Sequence, residues 1–193
     1  MKLALYGYGG HAHEVAAQIG KDITFFVDDC YSNSVANPIS SFDPNEYAMM
    51  VAVGDSKSRF DIVQKLPKET AYFSFIHPTA LILDTSIEIG EGSFIGAYSI
   101  LTTNIKIGKH AILNRLNQIG HDTTIGDYFS AMPGAIVSGN CTIHDCVYLG
   151  TNSSVKEKIN IHSLVTIGLN GGVVKHINQP GTYIGAPATK IIK

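Results

Sequence analysis

His121 and Asp122 are neighbours in this 193-residue chain, and they come directly after Ile119 and Gly120. Near neutral pH, histidine is the side chain best suited to accept a proton from an attacking nucleophile. A carboxylate that reaches the imidazole fixes its tautomer and raises its basicity. Among the eight histidines of the chain, we therefore predict that His121 is a general base and that Asp122 orients it.

A six-residue repeat must position this pair. Counting by six from residue 83 to residue 173 gives fifteen aliphatic residues and one alanine. These positions are Leu83, Ile89, Ile95, Leu101, Ile107, Leu113, Ile119, Ile125, Ala131, Val137, Ile143, Leu149, Val155, Ile161, Ile167 and Val173. A hexapeptide period is typical of a parallel β-helix, in which three hexapeptides form one coil and equivalent residues of successive coils stack.

The stacking predicts a neighbour for the proposed base, which we expect in the middle of a face with an outward side chain. Gly139 follows His121 by 18 residues and should lie one coil further along. Because glycine has no side chain, it would leave a slot beside the imidazole. A turn glycine within Ser138-Gly139-Asn140 is an equally good explanation.

The first 76 residues have a different pattern. Short apolar runs alternate with helical segments, which predicts a small parallel α/β domain at residues 1–76, followed by the β-helix at residues 77–193. The predicted strands cover residues 2–6, 24–27, 49–53 and 72–76, the helices 11–19 and 56–66, and a loop 30–47.

A glycine-rich turn follows the first predicted strand and opens the first helix, with Gly9, Gly10 and His11 at its centre. Free backbone amides at a helix start favour a phosphate group, and Asp28 stands about 20 residues on, as in nucleotide-binding domains. The domain is too short for two such halves, so a mononucleotide is expected rather than a dinucleotide. A tight turn without a ligand remains the alternative.

Composition excludes several classes of partner. The formal charge is −2 and no basic cluster exceeds two residues, so nucleic acid and anionic membranes are not expected to bind. No stretch approaches the roughly 20 apolar residues of a membrane span, and we expect no signal peptide. Cys30, Cys141 and Cys146 lack metal-ligand spacing and suggest reduced thiols in a cytoplasmic protein.

Four motifs resemble those of the sugar acyltransferases of bacterial surface-glycan synthesis. They are Y-G-x-G-G-H near the start, V-D-D, V-G-D-S-K-S-R, and Y-I-G-A-P-A after the hexapeptides. The chain is most similar to the UDP-N-acetylbacillosamine-pathway N-acetyltransferases, with sialic acid O-acetyltransferases and GDP-perosamine N-acetyltransferases as nearby branches. The resemblance covers essentially the whole chain. It implies a left-handed β-helix and a homotrimer that binds acetyl-CoA between neighbouring subunits and a nucleotide sugar at the first domain.

The resemblance also implies residue roles. His121 stands where the family has its reactive histidine, and the amide of Gly139 is expected near the acyl oxygen. Asn114 is expected to contact the sugar, whereas Arg115 departs from the family's small polar residue and leaves the acceptor open. Further acyl-CoA positions are Thr151 and Gly168. The substrate-binding positions are Gly9, Gly10, His11, Asp28, Asp29, Gly54, Arg59, Asn114 and Arg115.

We therefore predict an enzyme that transfers acetyl from acetyl-CoA to the amine of a nucleotide-linked amino sugar of the UDP-4-amino-4,6-dideoxy type. The alternatives are GDP-perosamine N-acetylation, sialic acid O-acetylation and a non-catalytic β-helix binding protein. No metal is expected. His144 and His162 should stack, but the chain lacks the two histidines five residues apart that ligate zinc in hexapeptide carbonic anhydrases.

Overall fold

The computed structural model describes residues 1–20 and 22–191. The amino-terminal domain has strands β1 (Lys2–Tyr6), β2 (Ile23–Val27), β3 (Ala36–Pro38) and β4 (Tyr47–Val51), and helices α1 (Gly10–Ile19) and α2 (Ser56–Val63). Its strands are parallel in the order β3-β2-β1-β4. Strand β3 corrects the expectation of a loop over residues 30–47, because Ala36 pairs there with Phe25 and is fully buried.

Both helices begin at the carboxyl edge of this sheet. Helix α1 buries Ala12, Val15 and Ile19, whose spacing gives one apolar face. It ends at Gly20, where a φ of 62° is left-handed and unstrained for glycine. Helix α2 begins at Asp55, whose carboxylate accepts a hydrogen bond from the Ser58 amide at 2.7 Å.

The remaining strands form a β-helix with three faces, in which all strands pair in parallel except the last, Thr189–Lys190, which is antiparallel to its neighbour. The first face contains β5 (Phe75–Ile76), β8 (Phe94–Ile95), β11 (Ile112–Leu113), β14 (Ser130–Ala131), β17 (Tyr148–Leu149), β20 (Val165–Ile167), β22 (Gly181–Ile184) and β23 (Thr189–Lys190). The second contains β6 (Leu81–Ile82), β9 (Ile100–Leu101), β12 (Gln118–Ile119), β15 (Ile136–Val137), β18 (Ser154–Val155) and β21 (Gly172–Val173). The third contains β7 (Glu88–Ile89), β10 (Lys106–Ile107), β13 (Thr124–Ile125), β16 (Thr142–Ile143) and β19 (Asn160–Ile161).

We call the turns that follow strands of the first, second and third faces the first, second and third edges. Successive coils stack in register, so that Ile119 of β12 pairs with Val137 of β15. From Ile95 to Val173 every periodic residue is at most 4 % exposed. The predicted fold class, a small α/β domain followed by a left-handed parallel β-helix, is confirmed.

The first repeat is out of phase. Ile82 pairs with Leu101, which follows it by 19 residues, and Leu83 is 60 % exposed. The first coil therefore holds one residue more than the later coils. The expectation of an unbroken period from Leu83 is wrong at that residue, and the period of six begins at Ile89.

The α/β domain packs on the first face of the β-helix. Phe94 and Ile112 point outward from this face, are each 1 % exposed, and share a core with Leu5 and Val15 of the sheet and α1. Burying two such side chains stabilises the docked arrangement by about 3–6 kcal/mol. The sheet therefore holds the carboxyl ends of its strands against the coils that carry His121.

The strand predicted over residues 72–76 does not belong to the α/β sheet as a whole. Phe75 and Ile76 pair with β8 of the β-helix, whereas Tyr72 forms a parallel bridge with Met49 of β4. The chain thus passes from one sheet to the other within these few residues. The division of the chain after residue 76 remains a prediction.

Candidate active site

His121 and Asp122 lie on the second edge, directly after β12, and not in the middle of a face as expected for His121. Nδ1 of His121 is 2.7 Å from Oδ2 of Asp122, and the Asn104 amide donates to Oδ1 of Asp122 at 2.6 Å. The hydrogen bond from Asn104, and then that from His121, lowers the pKa of Asp122. Because an ionised carboxylate can only accept, the hydrogen bond assigns a proton to Nδ1, and in the neutral imidazole this leaves the lone pair on Nε2.

Gly139 stacks on His121 one coil further along the second edge, as the spacing predicted. The next residue, Asn140, donates its amide to the carbonyl of His121 at 2.8 Å. A β-carbon at Gly139 would lie 2.6 Å from Nε2 of His121, well inside the roughly 3.5 Å of van der Waals contact. The φ of Gly139 is outside the left-handed region, so the close approach of the imidazole, and not the turn, requires this glycine.

A cavity of about 230 Å³ adjoins this turn on the second face. Ile100 and Ile136 give it apolar walls, and Gly120 and Ser138, which precede His121 and Gly139, form its edge. A largely apolar groove of this size, next to the turn that carries His121, suits a ligand with an aliphatic arm.

The amino end of α1 is open. A β-carbon at Gly9 or Gly10 would meet no atom within 4 Å, so protein packing does not explain these glycines. Gly9 caps the helix without a side-chain hydrogen bond, which leaves the first amides available to an anion. Asp28 lies nearby at the end of β2 and accepts a hydrogen bond from the Tyr6 hydroxyl at 2.6 Å.

Asp29 has a more local role than Asp28. Its Oδ1 accepts the amide of Ser40 at 3.0 Å, and this hydrogen bond lowers the pKa of the Asp29 carboxyl group. One carboxylate oxygen therefore holds the loop that follows β3.

His11, Glu14 and Arg115 form a chain of polar contacts between α1 and the first edge. Arg115 Nη1 donates to Glu14 Oε1 at 2.8 Å, and Glu14 Oε2 lies 3.8 Å from His11 Nδ1. The neighbouring Asn114 is 3 % exposed, and its Oδ1 accepts the amide of Arg115 at 2.7 Å. The sequence reasoning missed Glu14, although its position three residues after His11 on one helix face was a usable signal.

The predicted substrate-binding role of Arg59 is wrong, because its side chain is fully buried and cannot contact a substrate. Its guanidinium donates to Ser130 Oγ at 2.8 Å and to five backbone carbonyls that come from both domains. These carbonyls belong to Val53, Gly54, His110, Tyr128 and Phe129. Burial lowers the pKa of Arg59 to about 10. Arg59 is therefore a link between the domains and not a substrate ligand.

Gly54 has its carbonyl occupied in the same network, since it also accepts from Ser130 Oγ at 2.7 Å. On its other side, a β-carbon would lie 3.9 Å from both His11 and Met132. Gly54 thus borders the space between His11 and the first edge without offering a free carbonyl.

The predicted acyl-CoA residues are on two different edges. Gly139 is on the second edge with His121, whereas Thr151 and Gly168 follow β17 and β20 on the first edge. Six residues at about 3.3 Å each place neighbouring edges up to roughly 20 Å apart. A β-carbon at Gly168 would be 2.9 Å from Ile184, so the carboxyl-terminal strand covers this glycine.

A basic cleft of about 540 Å³ lies further along the second edge. It contains residues that occupy the positions of His121 and Asp122 two and three coils further along, and most of the charged residues in its lining are positive. The cationic and titratable lining is Lys156, Glu157, Lys158, Lys175 and His176. Lys175 is three coils beyond His121, roughly 14 Å along the axis. The sequence reasoning missed this cleft, although the 18-residue stacking aligns its residues with His121.

Known proteins share both halves of this arrangement. The PglD N-terminal domain family matches residues 2–66. The structure of WeeI from Acinetobacter baumannii matches with a TM-score of 0.87 and 29 % identity over 99 % of this chain and 100 % of that one. The acetyltransferase domain of PglB from Neisseria gonorrhoeae matches with a TM-score of 0.69 and 28 % identity over 98 % and 99 % of the chains.

The same relationship extends to a curated sequence. A GDP-perosamine N-acetyltransferase from Escherichia coli is 25 % identical over 169 residues, which are 78 % of this chain and 76 % of that protein. The chain is an acyltransferase that resembles these sugar acyltransferases over both of its domains. In this acyltransferase, His121 lies on the second edge, beside a cavity and a glycine that makes room for the imidazole.

Two negative findings apply to the described part of the acyltransferase. No group of three or more His, Cys, Asp or Glu side chains in residues 1–20 and 22–191 is arranged to hold a metal ion. Over the same residues, none of the helices combines the length and the apolar character that crossing a bilayer demands.

Proposed function

We propose that the enzyme transfers an acetyl group from acetyl-CoA to the amine of a nucleotide-linked 4-amino sugar, with His121 as general base. The observation that carries the proposal is the pair of hydrogen bonds that links Asn104 to Asp122 and Asp122 to His121, with Gly139 making room for the imidazole. The relatives support the class of reaction, since one is a GDP-perosamine N-acetyltransferase and the PglB domain was solved with acetyl coenzyme A.

In the proposed reaction, the neutral sugar amine attacks the thioester carbonyl. As the C–N bond forms, Nε2 of His121 takes the proton that the nitrogen loses, and Asp122 stabilises the resulting imidazolium. The C–S bond then breaks, and the departing thiolate receives the proton. The amide of Gly139 would donate to the carbonyl oxygen while it carries negative charge, a contribution of a few kcal/mol in other acyl-transfer enzymes.

We place the nucleotide at the carboxyl edge of the α/β sheet. The open glycines of α1 would bind its phosphates, with Asp28 at the end of the neighbouring strand. The sugar would then extend toward His11 on α1 and toward Asn114 and Arg115 on the first edge. We propose a cytoplasmic location, which the free cysteines Cys30, Cys141 and Cys146 support.

We further propose that the active site is completed by a second subunit of a homotrimer. In one chain, the residues assigned to the acceptor lie on the first edge and His121 lies on the second, up to roughly 20 Å away. A neighbour that presents its first edge to this chain's second edge would bring the two sets together. The thiol arm of CoA would occupy the groove beside His121, with its phosphates toward Lys158 and Lys175 in the basic cleft.

The nucleotide base is the open part of the proposal. We favour a UDP-linked sugar from the resemblance of the whole chain, and a GDP-linked sugar is the second candidate because of the curated relative. Thermal shift against UDP-, GDP- and dTDP-linked 4-amino sugars distinguishes them, since only a ligand that binds the native state raises the midpoint.

His121→Ala tests the assignment of the base. We expect kcat to fall by about two to four orders of magnitude, with little change in the dissociation constant of CoA. Turnover near that of the wild type would remove His121 from this role. His144→Ala, at an exposed histidine on the third edge, is the matched control and should turn over normally.

A further inference from the structure

Glu14 contacts two residues that the proposed function places around the nucleotide sugar. It lies one helical turn after His11 on α1, and its two carboxylate oxygens face different partners. One accepts from Arg115 at 2.8 Å and the other lies 3.8 Å from His11. Glu14 thus connects α1 to Arg115 on the first edge of the β-helix.

The ion pair with Glu14 leaves most of the N–H donors of Arg115 available. A guanidinium has five N–H donors in a planar fork, and Glu14 engages Nη1. The Arg115 side chain is 47 % exposed, so its remaining donors face an open region. The charge of Glu14 therefore fixes where the guanidinium lies without saturating it.

The amino end of α1 provides a second position for an anion, close to the free donors of Arg115. From Gly10 to Glu14 the axis of α1 rises about 6 Å, which is within the length of a diphosphate. A diphosphate bound by the free amides at Gly9 and Gly10 would thus extend toward the guanidinium of Arg115. Planar guanidinium groups bind phosphate oxygens in a bidentate manner.

We propose that Glu14 is a positioning residue, which holds Arg115 so that its free N–H groups bind the diphosphate of the nucleotide sugar. The proposal rests on the proposed function for the identity of that ligand. A merely structural link between the domains is the competing explanation. The chain offers a control for it, since Gln18 of α1 also bridges to the first edge by accepting the amide of Ala97 at 2.9 Å.

Calorimetric titration with UDP and with GDP tests the proposal independently of turnover. We expect Glu14→Gln to weaken binding of the preferred nucleotide about three- to tenfold, as expected when an exposed charged contact loses its orientation. Gln18→Leu should bind like the wild type. The exchange Glu14→Arg with Arg115→Glu should not restore wild-type affinity, because it restores the ion pair without returning a guanidinium to position 115; wild-type affinity in this variant would favour the merely structural link.

Steady-state kinetics separate this role from the proposed function itself. With the preferred nucleotide sugar, Glu14→Gln should raise KM for that substrate and leave KM for acetyl-CoA unchanged. Unaltered nucleotide affinity in Glu14→Gln, or an equal loss in Gln18→Leu, would overturn the role of Glu14. Wild-type protein that binds UDP or GDP but acetylates no nucleotide sugar would overturn the proposed function alone.

Discussion

Replacing Gly139 by alanine should disable the enzyme by moving one side chain. The added β-carbon would lie 2.6 Å from Nε2, 2.8 Å from Cε1 and 2.9 Å from Cδ2 of His121. Ordinary contact begins near 3.5 Å, so the imidazole must retreat by roughly 1 Å. That movement strains its 2.7 Å hydrogen bond to Asp122.

The size of the effect follows from the displacement. A misplacement of about 1 Å in a reacting group costs on the order of a hundredfold in rate, which equals about 2.7 kcal/mol of activation free energy. Because the clash is with the far end of a flexible side chain, the stability of the β-helix should barely change. We expect Gly139→Ala to lower kcat about a hundredfold and to leave the thermal midpoint near that of the wild type.

Gly90→Ala provides the matched control. There the β-carbon would lie 2.5–2.6 Å from backbone atoms of Gly108 and Lys109, which cannot rotate away. This variant should lose stability, by about 1–3 kcal/mol, and keep the rate per folded molecule. Initial rates with saturating substrates and thermal melts measure both quantities. If Gly139→Ala keeps kcat within threefold of the wild type, the argument from close approach is wrong.

Three further predictions concern the domain junction and the basic cleft. Arg59→Met should lose about 3–5 kcal/mol of unfolding free energy, the range for breaking a buried charged network; chemical denaturation checks this, and a loss below about 1 kcal/mol would contradict it. Burial lowers the pKa of His110 from 6.5 to about 4. Between pH 6.5 and pH 4 the unfolded chain therefore binds more protons than the native protein. The free energy of unfolding should fall by about 3 kcal/mol as the pH decreases from 6.5 to 4. Asparagine tolerates the positive φ of 54° at position 110, so His110→Asn should fold. This variant should make the thermal midpoint less dependent on pH between pH 6.5 and 4, and an unchanged pH dependence would count against this account. Lys158→Ala with Lys175→Ala should raise KM for acetyl-CoA about tenfold and weaken its dependence on salt, without changing KM for the nucleotide sugar; equal changes in both KM values would argue against a CoA phosphate site in the cleft.

The repeat is the part of the fold that sequence reasoning predicts best. Each hexapeptide builds nearly the same local geometry, so the position of one inward residue predicts the next, and Gly139 could be placed beside His121 by counting. The rule failed at Leu83, because a single extra residue in the first turn shifts the phase without changing the hydrophobic pattern. In a chain where residues 82, 83 and 87 are all aliphatic, only strand pairing shows which of them points inward.

Some residues of the candidate active site could likewise be assigned from the sequence and others could not. The pair of His121 and Asp122 is adjacent in the chain, so its hydrogen bond depends on one turn and could be inferred from residue types. Arg59 could not be assigned in this way, because a motif shows a charged residue but not what covers it. Its acceptors are as far as 71 residues away, and the packing of two domains decides that it binds carbonyls instead of a ligand.

The sequence by itself determined the coil, the pairing of His121 with Asp122 and the glycine beside them, because all three follow from a period of six and from neighbours along the chain. The tertiary structure decided which edges the functional residues occupy and what the polar side chains of the α/β domain contact. Glu14 and Arg115 are 101 residues apart and meet only because Phe94 and Ile112 dock that domain on the first face. Such contacts depend on how two separate cores pack together, which no local pattern in the chain encodes.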